Sequence, residues 1–144
     1  MIERVNSKAD ANKCDKLLTE LILDEKKYDK TLDNNFIVKD YFVNQIKNPN
    51  NILLVYKDND VIGYIYLRPI NDNIKNYLID GLYVEENYRN KGIGKKLITE
   101  AIKYLKNINA EYIDINVMYD NDIARKLYKY FEFNEFKLTM RKYM

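Results

Sequence analysis

Three neighbouring segments rich in branched and aromatic residues restrict the fold of this chain more than any other feature of its sequence. Residues 51–56 and 61–67 flank Asp58-Asn59-Asp60, a turn signal that predicts a β-hairpin. After Pro69 and a polar turn, residues 77–84 form the next predicted strand. The centre of the chain is therefore predicted to be a run of strands joined by short turns.

The segments on either side of this run predict helices and further strands, so the order of elements is mixed α/β. In chain order they are a strand at 2–5, a helix at 10–22 with Asp10 or Ser7 as its N-cap, a polar loop or helix end at 24–35, a helix at 36–46, a helix at 92–106, a strand at 112–118, a helix at 121–131 and a strand at 136–143 that closes the sheet. The buried side of the last helix is predicted to carry Ile123, Ala124, Leu127, Tyr128 and Phe131. No linker, repeat or low-complexity tract divides residues 1–144, so one domain is expected.

The composition excludes several kinds of catalytic site. The chain has no histidine and a lone cysteine, Cys14. Serine–histidine and cysteine–histidine nucleophiles are therefore excluded, as is a conventional structural zinc site, and no metal is expected. A general base that acts near neutral pH must then be a carboxylate, a tyrosine, a lysine or an ordered water.

The charge and hydropathy patterns favour a globular cytoplasmic protein. The net charge of +2 gives no indication of a nucleic-acid surface. No apolar run approaches the roughly 20 residues that span a bilayer. The N-terminus lacks the basic and apolar segments of a secretory signal, and a lone cysteine fits a reducing compartment. Neither nucleic acid nor a membrane is an expected partner.

The segment from Arg89 to Gly94 joins a predicted strand to a predicted helix and has the character of an anion site. The first turn of a helix leaves backbone N–H groups free, and the helix dipole favours an anion there. Glycines at 92 and 94 let phosphate oxygens approach those amides, and Arg89, Lys91 and nearby lysines add positive charge. The segment is predicted to hold a diphosphate.

Taken alone, the same residues are more typical of a glycine-containing turn that enters a cationic helix face. The segment lacks the Gly-Lys-Ser/Thr ending of a P-loop and the spacing Gly-x-Gly-x-x-Gly. No residue set for magnesium accompanies the glycines, which disfavours a nucleotide-binding protein. Its surroundings in the chain decide between these readings.

With those surroundings the sequence resembles the GNAT superfamily of acetyl-CoA-dependent N-acetyltransferases. The motif Arg/Gln-x-x-Gly-x-Gly/Ala is matched by Arg89, Gly92 and Gly94, the strand before it by Leu82-Tyr83-Val84, and the downstream pattern by Asn121, Ala124 and Tyr128. The likeness covers essentially the whole chain. One departure is Glu132-Phe133, where the family often has Gly-Phe.

The resemblance implies an α/β (α+β) fold with a mixed, mostly antiparallel central sheet and flanking helices. It also implies direct transfer of an acetyl group from acetyl-CoA, as co-substrate, to a primary amine in a ternary complex without a covalent enzyme intermediate. The cofactor-binding residues carried over from the family are Leu82, Tyr83, Val84, Arg89, Asn90, Lys91, Gly92, Ile93, Gly94, Lys95, Asn121 and Ala124.

Two residues are candidates for proton transfer. Tyr128 matches the family's usual general acid, and a phenol is protonated at neutral pH; the alternative is a core tyrosine on an amphipathic helix. Asp80 is the candidate base, because a carboxylate in an apolar strand is costly without a purpose. The alternative is an aspartate at a strand bulge, paired with a lysine or capping a turn, and Glu85 or a water chain is a weaker base.

The acceptor amine is left open by the sequence. The substrate pocket is predicted between residues 24–35 and a strand rim at Tyr64, Tyr66 and Tyr83, with a cation received by carboxylates such as Asp24, Glu25, Asp29 and Asp33. A small amine, an aminoglycoside-like amine, an amino acid and a peptide or protein amine all fit, and a homodimer is among the expectations. A non-catalytic acyl-CoA-binding sensor or protein-interaction module is the alternative function.

Overall fold

A computed structural model describes residues 1–33 and 35–144 of the chain; residue 34, in the predicted segment 24–35, lies outside the described residues. The elements are β1 (Ile2–Arg4), α1 (Lys8–Glu25), α2 (Tyr41–Gln45), β2 (Ile52–Asp58), β3 (Asp60–Ile70), β4 (Asn73–Val84), a 3-10 helix (Glu86–Tyr88), α3 (Ile93–Asn107), β5 (Tyr112–Ile115) and α4 (Asp122–Tyr130).

The strands form one five-stranded mixed sheet in the order β1-β2-β3-β4-β5. The first three pairings are antiparallel, and β4 pairs in parallel with β5. The chain therefore needs a crossover between β4 and β5, which α3 supplies. This architecture confirms the predicted fold class.

Two tight turns join the three central strands. Asn59 has φ of 64° in the turn between β2 and β3, as its place in the predicted hairpin requires. The turn between β3 and β4 has positive φ at both Asn71 and Asp72, 51° and 58°, a geometry typical of the two-residue turns that suit twisted strands. Both strands extend further than predicted because β3 continues through Pro69 to this turn.

Helices cover both faces of the sheet. On one face α1 and α2 pack against the sheet, burying among others Cys14, Leu17, Phe42, Tyr64 and Tyr66. On the other face α3 buries the predicted residues Ile93, Leu97, Ile98, Ala101 and Leu105, with Ile102 partly buried. Alternate side chains of the central strands thus enter opposite cores, which explains their nearly continuous apolar sequence.

The N-terminal end of α1 follows the prediction, whereas that of α2 does not. Ser7 caps α1, and its Oγ accepts a hydrogen bond from the Asp10 N–H at 3.2 Å. The helix predicted to begin at residue 36 begins at Tyr41, after Asp40 in a left-handed conformation with φ of 56°. Phe36 is 48% exposed. The spacing of apolar residues that begins at Phe36 therefore does not mark a buried helix face.

The C-terminal part of the chain departs most from the prediction. The strand predicted at 136–143 is wrong: within the described chain these residues belong to no strand, and β5 ends at Ile115 rather than at 118. Ile123, predicted to face inward, is 85% exposed, whereas Tyr128 is buried. An alternating pattern specifies a strand only where a partner edge accepts its hydrogen bonds.

None of the described helices is both long and apolar enough to cross a membrane.

The buried carboxylate of Asp15 connects α1 to α2 and gives a test of the fold. Its Oδ1 accepts the Phe42 N–H at 3.0 Å. We expect Asp15→Ala to lower the free energy of unfolding by about 2 kcal/mol, because a buried N–H loses its charged acceptor. Urea denaturation measures this. The matched variant Asn12→Ala, at an exposed position of the same helix, should leave stability nearly unchanged, and equal midpoints for the two variants would contradict the assignment.

Candidate active site

The candidate site lies where β4 and β5 separate. Their parallel pairing runs from Asn76 opposite Tyr112 to Ile79 opposite Ile115 and then stops. Beyond Ile79, β4 continues to Val84 and still pairs with β3. In the described chain, the other edge of this stretch has no strand partner. Free backbone groups along such an edge can bind an extended ligand.

Leu82, Tyr83 and Val84 occupy this half-free stretch. The side chains of Leu82 and Val84 pack on the α3 side of the sheet, whereas Tyr83 is buried on the α1 side. Their side chains are thus part of the core, as expected for residues whose predicted role belongs to the backbone. The prediction that their backbone holds a cofactor is compatible with this geometry.

The glycine loop, Arg89 to Gly94, leads into the start of α3. Asn90 and Gly92 both have positive φ, 63° and 77°, which turns the chain sharply between the 3-10 helix and α3. The first backbone bond of α3 runs from the Lys96 N–H to the Gly92 carbonyl at 3.0 Å. The N–H groups of Ile93, Gly94 and Lys95 precede it and need other acceptors. A Cβ at Gly92 or Gly94 would meet nothing within 4 Å, so no neighbouring group crowds the side-chain positions of these two glycines.

The lysines around this helix start each lie over an aromatic ring. The Nζ–centroid distances are 5.4 Å for Lys91 over Tyr88, 4.1 Å for Lys95 over Tyr130 and 5.8 Å for Lys96 over Tyr56. Cation–π contacts of this kind fix the ammonium groups near the helix end without neutralising them. Their charge therefore adds to the positive end of the α3 dipole.

The Arg89 side chain is held by the end of β4 and by α1 rather than at the start of α3. Its Nε donates to the Val84 carbonyl at 2.8 Å, one NH2 group forms an ion pair with Asp24 at 3.0 Å, and the guanidinium lies 5.0 Å from the Tyr83 ring centroid. The side chain therefore joins the loop to the end of β4 and to α1. The charge that faces the helix start comes from the lysines.

Two surface cavities flank the loop. One of about 500 Å³ lies beside the first turns of α3 and is lined by Met1, Ile2, Tyr56, Lys95, Lys96, Thr99 and Glu100. The other, of about 330 Å³, lies on the α1 side and is rich in carboxylates. Neither is lined by Tyr128 or Asp80. The first has the positive charge that suits an anionic part of a ligand.

The start of α4 is fixed by two of the predicted cofactor residues. Oδ1 of Asn121 accepts the Ala124 N–H at 3.1 Å, which is an ordinary N-cap. One turn later Tyr128 is 9% exposed, and its ring packs edge-to-face on Phe133 at 5.9 Å between centroids. Burial, and then the charge of Glu25, raises the pKa of Tyr128 to about 12. Its phenol thus keeps its proton throughout the neutral range.

Asp80 lies at a β-bulge. The register between β3 and β4 shifts there, since Tyr66 pairs with Gly81 and Leu67 with Ile79. The Asp80 carboxylate accepts a hydrogen bond and ion pair from Arg68 Nε at 2.7 Å and is exposed. The alternative of an aspartate at a strand bulge fits this geometry, but the partner is Arg68 rather than the predicted lysine. A bulge next to a free edge also aims the carboxylate out of the ladder.

Tyr64 and Tyr66 do not form a pocket rim. Both are almost fully buried, at 0% and 1% exposure, so this part of the prediction is wrong. The Tyr64 hydroxyl would lie 2.8 Å from a Cβ at residue 81, which explains why glycine stands there. Within the described residues that hydroxyl has no hydrogen-bond partner. Tyr64 therefore forms the floor beneath the bulge.

Sequence analysis did not distinguish Glu25 from the neighbouring acids as a candidate site residue. It ends α1 and is half-buried. Burial raises the pKa of Glu25 above its usual value, and repulsion from Asp80 raises it further. Its charge also acts on Tyr128 and Tyr64. In the sequence Glu25 is one of several acids in a polar stretch, and no local signal separates it from Asp24.

Other predicted amine-binding acids are used elsewhere. Asp24 pairs with Arg89. Asp29 is buried, accepts from the Thr31 hydroxyl at 2.6 Å and pairs with Arg141 at 2.9 Å. Asp33 accepts the Asn35 N–H at 2.9 Å. Across residues 1–33 and 35–144, no group of three or more His, Cys, Asp or Glu side chains is arranged to hold a metal ion.

Comparison with known proteins identifies a family and a relative that this chain resembles. The family described as Acetyltransferase (GNAT) family matches residues 16–133. An N-alpha-acetyltransferase of Sulfurisphaera tokodaii is 30% identical over 114 residues, which cover 72% of this chain and 68% of that protein.

Solved structures share the fold over the whole chain. A mutant protein from Bacillus halodurans has a TM-score of 0.81 at 18% identity, with 100% of this chain and 99% of that chain covered. An aminoglycoside acetyltransferase from an uncultured soil metagenomic sample, solved in complex with sisomicin, has a TM-score of 0.73 at 22% identity, with 100% and 95% covered. At these identities the likeness concerns the fold.

The two glycines of the loop should respond differently to a methyl group. Gly92→Ala places a side chain at a positive φ and should lower the free energy of unfolding by about 1 kcal/mol. Gly94→Ala lies within the first turn of α3, where alanine is the better helix former, and should leave stability equal or higher. Both methyl groups would enter open space, so the backbone alone separates them. Equal losses in urea denaturation would contradict this account.

Proposed function

We propose that this chain, which belongs to the Acetyltransferase (GNAT) family, moves an acetyl group from acetyl-CoA directly to a primary amine. Both substrates would be held in one ternary complex, without a covalent enzyme intermediate, and residues 1–144 would act as one N-acetyltransferase domain. The observation that carries the proposal is the free edge of β4 beyond Ile79, which leads to a cationic helix start.

The chain has groups suited to two parts of acetyl-CoA, the diphosphate and the amide-containing arm. The amides at the start of α3 and the lysines beside them suit the diphosphate. The free edge from Leu82 to Val84 suits the amide-containing arm, which can hydrogen-bond to it as an added strand would. The co-substrate supplies an activated thioester carbonyl; orienting it against the amine is the task of the protein.

Tyr128 is proposed to supply a proton to the departing sulfur. A general acid must be protonated at the working pH, and the pKa of Tyr128, raised to about 12 by burial and by the Glu25 charge, meets that condition. Its burial also excludes water from the phenol, which strengthens a hydrogen bond to a developing thiolate.

Two carboxylates are available to handle the amine, and their surroundings favour different roles. Asp80 was the candidate base from the sequence, but it is exposed and its carboxylate is already held by Arg68 at 2.7 Å, which suits a group that binds and positions the substrate. Glu25 has a pKa raised by burial and by Asp80, and a base works best with a pKa near the working pH. We therefore propose that Glu25 takes the proton while Asp80 binds the ammonium form.

The proposed acceptor is a primary amine that arrives as a cation. Two neighbouring carboxylates attract such a group and repel an acidic one. The relatives include an N-alpha-acetyltransferase and an aminoglycoside acetyltransferase solved with sisomicin. Small cationic amines and the amino terminus of a peptide are therefore the two acceptor classes to test first.

The function and the role of Tyr128 are tested together. The wild-type protein should be stabilised against heat by acetyl-CoA, because a ligand that binds the folded state raises the melting temperature. It should also release free CoA when a panel of small amines and short peptides is added. Tyr128→Phe should lower kcat by about 100-fold, the usual contribution of a positioned acid, with acetyl-CoA affinity nearly unchanged.

The control for this variant is Tyr112→Phe, at an exposed tyrosine of β5, which should turn over like the wild type. Stabilisation by acetyl-CoA without transfer to any amine would favour the non-catalytic sensor or interaction module. No stabilisation by any acyl-CoA would overturn the proposed function. Equal turnover of Tyr128→Phe and wild type would remove Tyr128 from the mechanism.

The assignment of the base predicts two distinct pH–rate profiles. With Glu25 as base, kcat/KM should rise as pH rises through its pKa, and Glu25→Gln should abolish this limb together with most activity. Because Asp80 raises the pKa of Glu25, Asp80→Asn should move the limb to lower pH and raise KM for the amine. Steady-state kinetics across the acidic and neutral range measures both effects.

Glu111→Gln provides the control, since it removes an exposed carboxylate far along the chain from both candidates. Its profile should match that of the wild type. A limb that persists in Glu25→Gln and vanishes in Asp80→Asn would return the base role to Asp80.

A further inference from the structure

Arg68 on β3 has donors to spare beside the candidate site. Its Nε–H binds the Asp80 carboxylate at 2.7 Å, and its two terminal nitrogens donate to no protein group among residues 1–33 and 35–144. The side chain is 42% exposed, which leaves it accessible to a ligand. We propose that Arg68 binds the carbonyl oxygen next to the acceptor amine and so selects the amino terminus of a peptide, a step that rests on the proposed function.

The surroundings of Arg68 place it with the groups that are proposed to handle the amine. It lies two residues beyond Tyr66, on the face of the sheet that α1 and α2 cover. Burial raises the pKa of Tyr41, the charge of Asp80 raises it further and that of Arg68 lowers it, so this partly buried ring lies beside the ion pair. Burial also raises the pKa of Glu25, and the Asp80 charge adds to the shift. The ion pair, the proposed base and an aromatic ring therefore adjoin the same part of the bulge.

The ion pair discriminates between amines because it presents a donor and an acceptor side by side. An alkylammonium ion can only donate, so at Asp80 it competes with the guanidinium that is already bound there. The α-amine of a peptide donates through its nitrogen and accepts through a carbonyl oxygen about 3 Å away. Its ammonium group can bind Asp80 while the oxygen accepts from Arg68, so both charged side chains keep a partner. A site with donors of this kind disfavours an analogue that leaves them unpaired.

The acids around the ion pair favour a peptide carbonyl over the carboxylate of a free amino acid. That carboxylate would lie close to Asp80 and Glu25, and like charges repel in a partly buried site. A peptide carbonyl has no charge and still accepts from the guanidinium. An α-amino group also has an ordinary pKa of about 8, against about 10.4 for a lysine side chain, so a carboxylate base removes its proton more easily.

Steady-state kinetics with alaninamide and isopropylamine tests the role of Arg68, since in these two acceptors an amide group replaces one methyl group. Arg68→Gln should lower kcat/KM for alaninamide about 30-fold, mainly through KM, because a charged hydrogen bond to the substrate is lost. It should leave isopropylamine turnover equal or higher, because Asp80 loses a competing cation, and this activity also shows that the variant is folded. The ratio of variant to wild type for each acceptor removes the different intrinsic reactivity of the two amines. The control Lys75→Gln, which removes an exposed cation from β4, should change neither.

Two results would overturn the role of Arg68. An equal loss with both acceptors would mean that Arg68 only positions Asp80, and equal kinetics of Arg68→Gln and wild type would mean that it binds no part of the substrate. A preference of the wild type for free alanine over alaninamide would overturn the assignment to a peptide amino terminus.

Calorimetry separates a failure of this assignment from a failure of the proposed function. With CoA in place of acetyl-CoA no transfer takes place, and the wild type should still bind alaninamide more tightly than isopropylamine. Arg68→Gln should remove this difference. A wild type that shows the difference but acetylates no amine would refute the proposed function alone. A wild type that acetylates amines without showing the difference would refute the role of Arg68 alone.

Discussion

Parallel pairing between β4 and β5 stops at Ile79 and Ile115, while β4 continues to Val84 with β3 on its other side. Backbone groups along the separated stretch must find partners outside the ladder. The turn at Gly92 then brings the start of α3 and its free amides to the end of the same strand. A free strand edge and a positive helix end therefore meet at one place, and the proposed cofactor path depends on both.

The bulge at Asp80 lies where this separation begins. Within a fully paired sheet an extra residue would disrupt the ladder on two sides, but here it disrupts it on one. The bulge gives Asp80 its contact with Arg68, and α1 brings Glu25 near it. The Arg68 partner of Asp80 and the partial burial of Glu25 are the basis for dividing binding and proton transfer between the two carboxylates.

The sequence predicted the five strands β1 to β5, the α3 and α4 helices and the glycine loop because each depends on a short local pattern. It predicted Tyr128 from a motif position, and the structure gives that residue a buried site with a raised pKa. It missed the distinction of Glu25 from other acids of its segment, because nothing near it in the chain differs from them. The strand predicted at 136–143 failed for a related reason, since alternation describes a face and cannot supply a partner edge.

The sequence by itself determined what hydrophobic period, turn residues and glycine conformation can determine: the central run of strands with its first hairpin, the helices α1, α3 and α4, and a helix start suited to an anion. These features act over a few consecutive residues, so their free energies are set locally. The tertiary structure alone decided which distant groups meet, including Glu25 with Asp80 and Tyr128, and Arg89 with Asp24. Burial and electrostatic repulsion act through space, and only the folded chain fixes those separations.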